Sequence, residues 1–128
     1  MILLDSSVAI DLLRRRTAAV AWFSQLPGDE DILLPGYVAM ELIVGCRNRE
    51  HRTDVGRLIG MSEVVWINEL ACDRAMRTLR LIQPHVAIGV LDMLIAETAI
   101  TLGVPLYTHN VRHFRAVPKL DVIRPFIC

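Results

Sequence analysis

The hydrophobic residues of the chain fall into two kinds of segment that alternate. Short uninterrupted apolar runs, such as residues 2–4, are typical of buried strands, and longer stretches between them carry apolar residues at helical spacing. This alternation indicates an α/β fold with a parallel sheet. No repeat, linker or low-complexity tract divides the chain, so we predict a single domain over residues 1–128.

Caps and breakers place the individual elements. Ser6 or Ser7 is predicted to cap the first helix, while Pro27 and Gly103 follow helix ends. The predicted strands cover residues 2–4, 31–34, 63–67, 105–108 and, at an edge, 121–123. The longer predicted helices cover residues 17–26, 48–59, 69–82 and 90–102. A further helix begins after Pro35 and Gly36, with an apolar face formed by Tyr37, Met40, Leu42, Ile43 and Val44.

Composition is that of a folding domain, with 53% hydrophobic and 22% charged residues. The formal net charge is zero, which argues against a surface coated in positive charge for non-specific nucleic-acid binding. Thirteen of the 14 basic residues are arginine, the better side chain for phosphate recognition, although genomic base composition produces the same bias. Net charge therefore leaves a nucleic-acid substrate open without supporting it.

Cysteine usage and hydropathy predict a soluble cytoplasmic protein. Cys46, Cys72 and Cys128 are an odd number at wide spacing, which fits neither a disulfide framework nor a zinc site. The apolar opening is cut short by Asp5, unlike a signal peptide. The apolar stretch 88–107 contains two acidic residues and a Gly-Val-Pro break, so a membrane span would be costly.

Three acidic residues on apolar elements are the informative anomaly. Asp5 ends the first predicted strand, Glu41 lies within an apolar helix, and Asp92 lies early in the most hydrophobic helix. Sites in open parallel sheets form at the carboxyl ends of strands, and helices start from the same edge. We therefore expect these three carboxylates to gather there.

Gathered carboxylates repel one another, so such a cluster either takes up protons or holds a cation. Mg²⁺ or Mn²⁺ suits a set of oxygen ligands. A metal held there would activate a water for attack on phosphorus and stabilise charge on the phosphoryl oxygens. Each acid also has a structural interpretation, because Asp5 suits a helix N-cap, Glu41 an exposed helix edge, and Asp92 a first helical turn.

Four segments resemble the motifs of the PIN-domain family. They are ILLDSSV at residues 2–8, AMEL at 39–42, LDMLIAETA at 91–99 and PLYTHNVRHF at 105–114. Each is weak alone, but together they occur in family order and span nearly the whole chain.

The resemblance implies a PIN-like three-layer α/β/α fold with a central, mainly parallel sheet, and cleavage of RNA phosphodiester bonds. It implies that Asp5, Glu41 and Asp92 are catalytic and bind Mg²⁺ or Mn²⁺. Ser7 and Thr108 match hydroxyl positions that help orient the site, and we expect them to contact the substrate. The compact chain further resembles VapC-type toxins, which implies a homodimer, an RNA substrate and inhibition by a cognate antitoxin.

The match departs from the family pattern in the closing segment. Many members have a fourth carboxylate there, where this chain offers Asn110 and His113. Asn110 can orient a water or a metal-bound ligand, but it adds no negative charge. One fewer acid should weaken metal binding in the free protein. We therefore hypothesise that Asp5 and Asp92 hold the metal, and that its affinity increases when an RNA phosphate adds ligands.

Several other polar residues receive weaker predictions. Glu97 lies about 140° around the helix from Asp92, so we expect it to be exposed or salt-bridged. Asp11 and Asp73 are interpreted as solvent-facing acids. Arg112 is the best-placed contact for RNA, beside the closing motif. Other candidates are Arg14, Arg15, Arg16, Arg47, Arg49, His51, Arg52 and Arg115, although such residues are often solvated or ion-paired.

The first two helices, with Trp22 and Phe23, suit either an antitoxin interface or ordinary core packing. Two rival functions remain at this point. A phospho-acceptor domain also places acids at strand ends, but it needs a lysine near the site, and the only lysine, Lys119, follows the last motif. The other rival is a catalytically weakened PIN-like module that binds RNA or a protein without cutting, because the fourth acid is missing.

Overall fold

A computed structural model describes residues 1–127 of the chain. Its centre is a five-stranded sheet in the order β3-β2-β1-β4-β5, and every pair of neighbouring strands is parallel. The strands are β1 (Ile2–Leu4), β2 (Ile32–Pro35), β3 (Glu63–Val65), β4 (Leu106–Tyr107) and β5 (Val122–Ile123). The predicted parallel α/β fold is confirmed.

Seven helices connect these strands within the described residues. They are α1 (Ser6–Leu13), α2 (Thr17–Ser24), α3 (Gly36–Val44), α4 (Arg49–Met61), α5 (Glu69–Ile82), α6 (Val90–Leu102) and α7 (Val111–Phe114). Because parallel crossovers are right-handed, the connections towards β3 place α1–α4 on one face of the sheet and those towards β5 place α5–α7 on the other. Contacts among α1–α4, and between α5 and α6, agree with two helical layers. No helix within residues 1–127 is long and apolar enough to cross a bilayer.

The sheet is buried between these layers. Leu3, Leu34 and Leu106 on the three central strands are fully buried. A larger cluster joins them to α3, α4, α6 and α7, while a smaller one joins Ile2 and Leu4 to the aromatic ring of Trp22 and its neighbours. The ring centroids of Trp22 and Tyr107 lie 5.6 Å apart, with the ring planes tilted by 33°. Core packing therefore accounts for Trp22.

Most predicted bounds agree with the structure, and the differences have local causes. Helices α5 and α6 match their predictions, because Asn68 caps α5 through its side chain and Gly103 ends α6 in the left-handed conformation (φ 66°). Strand β1 matches its prediction, β2 is shifted by one residue, and β3, β4 and β5 are one or two residues shorter than predicted. The first helix is capped by Asp5, whose carboxylate accepts from the Ser6 amide, so the prediction of a serine cap is wrong.

Only part of the apolar face predicted for α3 packs into the core. Its buried residues include Val38, Ala39 and Leu42, whereas Met40, Ile43 and Val44 are exposed. Val44 is 85% exposed. Apolar spacing identifies a hydrophobic helix face. It does not show whether that face packs into the core of the same chain or against a partner.

Candidate active site

Asp5 stands where β1 ends and α1 begins, at the carboxyl edge of the central strand of the sheet. Its side chain is buried, with only 5% of the residue exposed. One carboxylate oxygen, Oδ1, accepts from the Ser6 amide at 2.8 Å. The other, Oδ2, accepts from the Ser7 hydroxyl at 3.1 Å and from the Thr108 hydroxyl at 2.7 Å. Asp5 is therefore held in one orientation by groups from both ends of the chain.

The segment after β4 completes this arrangement. Thr108 is fully buried, and its hydroxyl also accepts from the Asn110 amide at 3.0 Å. The His109 amide donates to the Ser7 hydroxyl at 3.2 Å. Because β1 and β4 are neighbouring parallel strands, their carboxyl ends bring Ser7 and Thr108 to the same carboxylate. Both hydroxyls orient Asp5, and contact with substrate stays a prediction for them.

Glu41 on α3 and Asp92 in the first turn of α6 are electrostatically coupled to Asp5. Burial raises the pKa of Glu41, and the negative charges of Asp5 and Asp92 raise it further. Burial also raises the pKa of Asp92, with a further rise from Asp5 and an opposing effect from His113. The structure thus brings together the three acids that the sequence singled out, from three separate elements.

The donor set suits a hard divalent cation, although no three metal-binding side chains within residues 1–127 stand ready-made around one point. The three acids offer oxygen ligands only, which Mg²⁺ and Mn²⁺ prefer. Their mutual repulsion, seen in the raised pKa of Glu41 and Asp92, is relieved by a positive charge. The residues therefore fit a divalent cation by their chemistry.

Asn110 and His113 occupy the place where a fourth carboxylate was sought. The Asn110 side-chain amide lies 3.0 Å from Nδ1 of His113, so the two side chains are paired. His113 is close enough to Asp92 to lower its pKa. Sequence reasoning named His113 only as a departure from the family pattern. Its position near the acids became visible only from the fold.

A second pair near the site was missed. Asp11 on α1 lies 2.9 Å from Nε2 of His109 and 3.0 Å from Nε of Arg16, and it is half-buried. The interpretation of Asp11 as a solvent-facing acid is therefore wrong, whereas Asp73 is exposed as expected. Nothing in the local sequence signals this pairing, because Asp11 and His109 meet only when β1 and β4 pair.

The remaining sequence candidates separate into paired and unpaired groups. Glu97 is buried and forms a salt bridge with Arg74 at 3.2 Å. Of the two predicted alternatives, exposed or salt-bridged, the salt bridge is confirmed. Arg15 and Arg16 are ion-paired with Asp54 and Asp11. Arg112 is exposed on α7, two residues after Asn110.

Known proteins resemble this chain over almost its whole length. The PIN domain model matches residues 2–120. Ribonuclease VapC10 of Mycobacterium tuberculosis is 37% identical over 128 residues, covering 98% of this chain and 92% of the relative. A chain in the structure of VapBC-1 from nontypeable Haemophilus influenzae is 26% identical, with a TM-score of 0.81 and 98% coverage of both chains. A toxin–antitoxin complex from Klebsiella pneumoniae contains a chain of the same fold, with a TM-score of 0.82, 20% identity and full coverage of both chains. The chain belongs to the PIN-domain family, among the VapC ribonucleases.

Proposed function

We propose that this protein is a metal-dependent endoribonuclease and the toxin of a toxin–antitoxin pair. The observation that carries the proposal is the coupling of Asp5, Glu41 and Asp92 at one edge of the sheet. An acidic site of this kind suits hydrolysis of a phosphodiester, whose negative charge needs a cation for stabilisation. The relatives named as VapC ribonucleases support RNA as the substrate.

Asp5 and Asp92 are the residues that would hold Mg²⁺ or Mn²⁺, with Glu41 beside them. When bound, such a cation supplies Lewis-acid stabilisation of phosphoryl charge and favours deprotonation of an attacking water. The hydroxyls of Ser7 and Thr108 keep the Asp5 carboxylate in its orientation while the substrate binds. That pre-organisation avoids reordering the site during the reaction.

Glu41 is the residue that we assign to proton transfer from the attacking water. Its raised pKa makes it a stronger base than an ordinary glutamate, and it remains exposed enough to reach a water. Asn110, held by His113, presents an uncharged polar group that orients the substrate or water. Arg112 is proposed to contact an RNA phosphate from the adjoining short helix.

The decisive test is RNA cleavage by the purified, antitoxin-free protein in Mg²⁺, Mn²⁺ or EDTA, alongside Asp92→Asn. We expect cutting with either metal and none in EDTA or in the variant. Asp73→Asn is the matched control, because it removes an exposed acid from α5, the neighbour of α6 in the same helical layer. It should cut RNA at the wild-type rate.

One outcome would favour a second function. Asn110 and His113 supply no fourth negative charge, and this observation supports a catalytically weakened module that binds RNA or protein. A folded, metal-loaded protein that cuts no RNA would make that module the better assignment. In that case overexpressed Asp92→Asn should have the same phenotype as wild type.

Metal binding is proposed to depend on the substrate. With only three acids, the metal should bind weakly to the free protein and more tightly when RNA phosphate adds oxygen ligands. Titration of Mn²⁺ into the protein, with and without an uncleavable RNA, measures this difference. Equal affinity in both titrations would contradict the hypothesis.

The cleft between α1, α2 and α4 is proposed to take an apolar segment of the antitoxin. It has a volume of about 300 Å³. Its apolar lining consists of Leu12, Leu13, Val20, Phe23, Leu58 and Met61. Arg15 and Arg57 at its rim share the single carboxylate of Asp54, so their charge is partly compensated. The apolar lining suits a hydrophobic partner.

The exposed side of α3 is proposed to form a homodimer interface. Met40, Ile43 and Val44 are exposed on α3. Trp66, whose ring centroid lies 6.1 Å from that of Tyr37 on the same helix, is 62% exposed. A set of exposed apolar side chains of this size is typical of an interaction surface. The relatives of this chain are found in toxin–antitoxin assemblies, which agrees with a protein that binds other chains.

A further inference from the structure

We infer that the cleft between α1, α3 and α4 binds a nucleotide of single-stranded RNA next to the scissile phosphate. The inference rests on the proposed ribonuclease function and assigns a substrate subsite to that same site. The cleft has a volume of about 380 Å³, within the range of about 300–1,000 Å³ that small-ligand sites occupy. The apolar cleft proposed for the antitoxin adjoins it, and the two share Leu13 in their linings.

The cleft is continuous with the acidic site. Glu41, whose pKa is raised in part by Asp5 and Asp92, forms part of its wall. When the scissile phosphate lies at the three acids, the nucleotide on one side of it can extend along this wall. The cleft therefore lies where a neighbouring nucleotide can bind.

The charge of the cleft suits a phosphate. Arg14 at the end of α1, Arg47 before α4, and His51 in the first turn of α4 line it. Within residues 1–127, neither Arg14 nor Arg47 forms an ion pair, whereas Arg15 and Arg16 are both paired with acids. Two uncompensated guanidinium groups beside a carboxylate site provide fork-shaped donors for phosphate oxygens.

The floor of the cleft suits a nucleobase. Ile10, Leu13 and Leu42 supply its apolar side chains. Bases of single-stranded RNA are unstacked and can insert into such a surface, whereas those of a duplex cannot. Basic groups at the rim and aliphatic groups at the floor therefore match a nucleotide better than they match a hydrophobic peptide.

The test measures RNA binding separately from RNA cutting. Arg14→Ala, Arg47→Ala and the double variant are made in the Asp92→Asn protein, and a fluorescent single-stranded RNA of mixed sequence is titrated at several salt concentrations. We expect affinity to fall roughly tenfold for each arginine removed. The slope of log affinity against log salt should become shallower by about 0.7 for each lost phosphate contact.

Arg80→Ala is the matched control, because Arg80 is an exposed arginine of the opposite helical layer. It removes the same charge and should leave both quantities unchanged. In the catalytically intact protein, the Arg14 and Arg47 variants should raise KM with kcat retained. The methyl resonances of Ile10 and Leu13 should shift on RNA binding in the Asp92→Asn protein.

Unchanged RNA affinity in the double variant would overturn the inference, even if the wild-type protein cuts RNA. Retained RNA affinity together with lost inhibition by the antitoxin would overturn it too, and would assign the cleft to the partner protein. If the wild-type protein cuts no RNA but the double variant binds RNA more weakly than the Arg80→Ala control, the cleft is an RNA-binding site and only the ribonuclease proposal falls.

Discussion

At the scale of single residues, Asp5 is both a structural cap and a member of the acidic site. Its Oδ1 atom satisfies the first amide of α1, while Oδ2 receives two hydroxyl groups. The two interpretations weighed from sequence are therefore compatible, because a carboxylate has enough acceptor positions for both. The cap aims the side chain at the edge of the sheet where Glu41 and Asp92 also lie.

Replacing Thr108 with valine should disable the site at a moderate cost in stability. The change keeps the shape of a buried side chain but removes the 2.7 Å hydrogen bond to Asp5. We expect RNA cleavage to fall roughly 10- to 100-fold, as when an orienting partner is lost, and the free energy of unfolding to fall by about 1–3 kcal/mol.

Thr98→Val is the matched control, because Thr98 is also buried but donates only to the Leu94 carbonyl of its own helix. Cleavage assays and urea denaturation measure both variants. If Thr98→Val loses as much activity as Thr108→Val, the orienting role of Thr108 would be refuted.

Asp92→Asn should stabilise the metal-free protein at neutral pH. Burial and the charge of Asp5 raise the pKa of Asp92, so the folded protein keeps a proton over a pH range in which the unfolded chain has lost it. The free energy of unfolding therefore falls as pH rises through that range, and asparagine avoids this loss.

The check is urea denaturation in EDTA at pH 7 and at about pH 4, which is close to the ordinary pKa of a side-chain carboxyl group. The variant should be more stable than wild type at pH 7, and the difference should shrink at the lower pH. Added Mn²⁺ should favour the wild type, because ligand binding stabilises the folded state. A variant that is less stable than wild type at pH 7 without metal would contradict the argument.

At the scale of elements, Glu41 and Asp92 come from opposite helical layers, on helices that are packed differently. Helix α3 brings Glu41 while its apolar residues Ile43 and Val44 face outward. Helix α6 brings Asp92 and is joined to α5 by the ion pair between the buried Glu97 and the half-buried Arg74. Arg74 also donates to Thr101 at 2.7 Å, so it bonds α6 at two points one turn apart.

Arg74→Met should destabilise the protein without acting on the chemistry. It leaves the Glu97 carboxylate buried and without its ion-pair partner, which costs about 3–5 kcal/mol. The double variant Arg74→Met, Glu97→Met should recover most of that loss, because two apolar side chains replace the pair.

Urea denaturation of the two variants tests this coupling, and RNA cleavage well below the melting temperature should stay near wild type in both. If the double variant is no more stable than Arg74→Met alone, the buried charge of Glu97 is not the cause of the loss.

At the scale of the whole molecule, the layer of helices α1–α4 carries three candidate binding surfaces. The exposed side of α3 carries Met40, Ile43 and Val44, the apolar cleft lies between α1, α2 and α4, and the basic cleft lies between α1, α3 and α4. Helices α1, α3 and α4 each contribute to more than one surface. Binding of a second copy, an antitoxin and an RNA can therefore each be tested by its own substitution.

Val44→Lys should produce a monomer, and Val20→Lys should weaken antitoxin binding while the dimer persists. Val44 is 85% exposed on α3, whereas Val20 lines the apolar cleft. A lysine at either position places a charge in an interface that excludes water, which opposes association.

Each variant is the control for the other. Sedimentation measures the oligomeric state, and a pull-down with the cognate antitoxin measures the partner. A Val44→Lys protein that stays dimeric would show that the dimer interface lies elsewhere. Undiminished antitoxin binding by Val20→Lys would show that the antitoxin does not bind in the apolar cleft.

The sequence by itself determined the order and type of the elements and the bounds of α5 and α6, and it singled out the three acids of the candidate site. These features follow from local rules, since caps, breakers and apolar spacing act over a few residues. Asp5, Glu41 and Asp92 were recognisable because each acid lies on an apolar element, where an unpaired charge is costly.

Only the tertiary structure decided how those residues are held. The hydrogen bond of Thr108 to Asp5 and the pair of Asp11 and His109 join residues about 100 positions apart, which meet because β1 and β4 pair. The exposed side of α3 was equally invisible, because helical spacing identifies an apolar face and not what covers it. Long-range contacts depend on strand order, and strand order is set by the free energy of the whole core rather than by any local pattern.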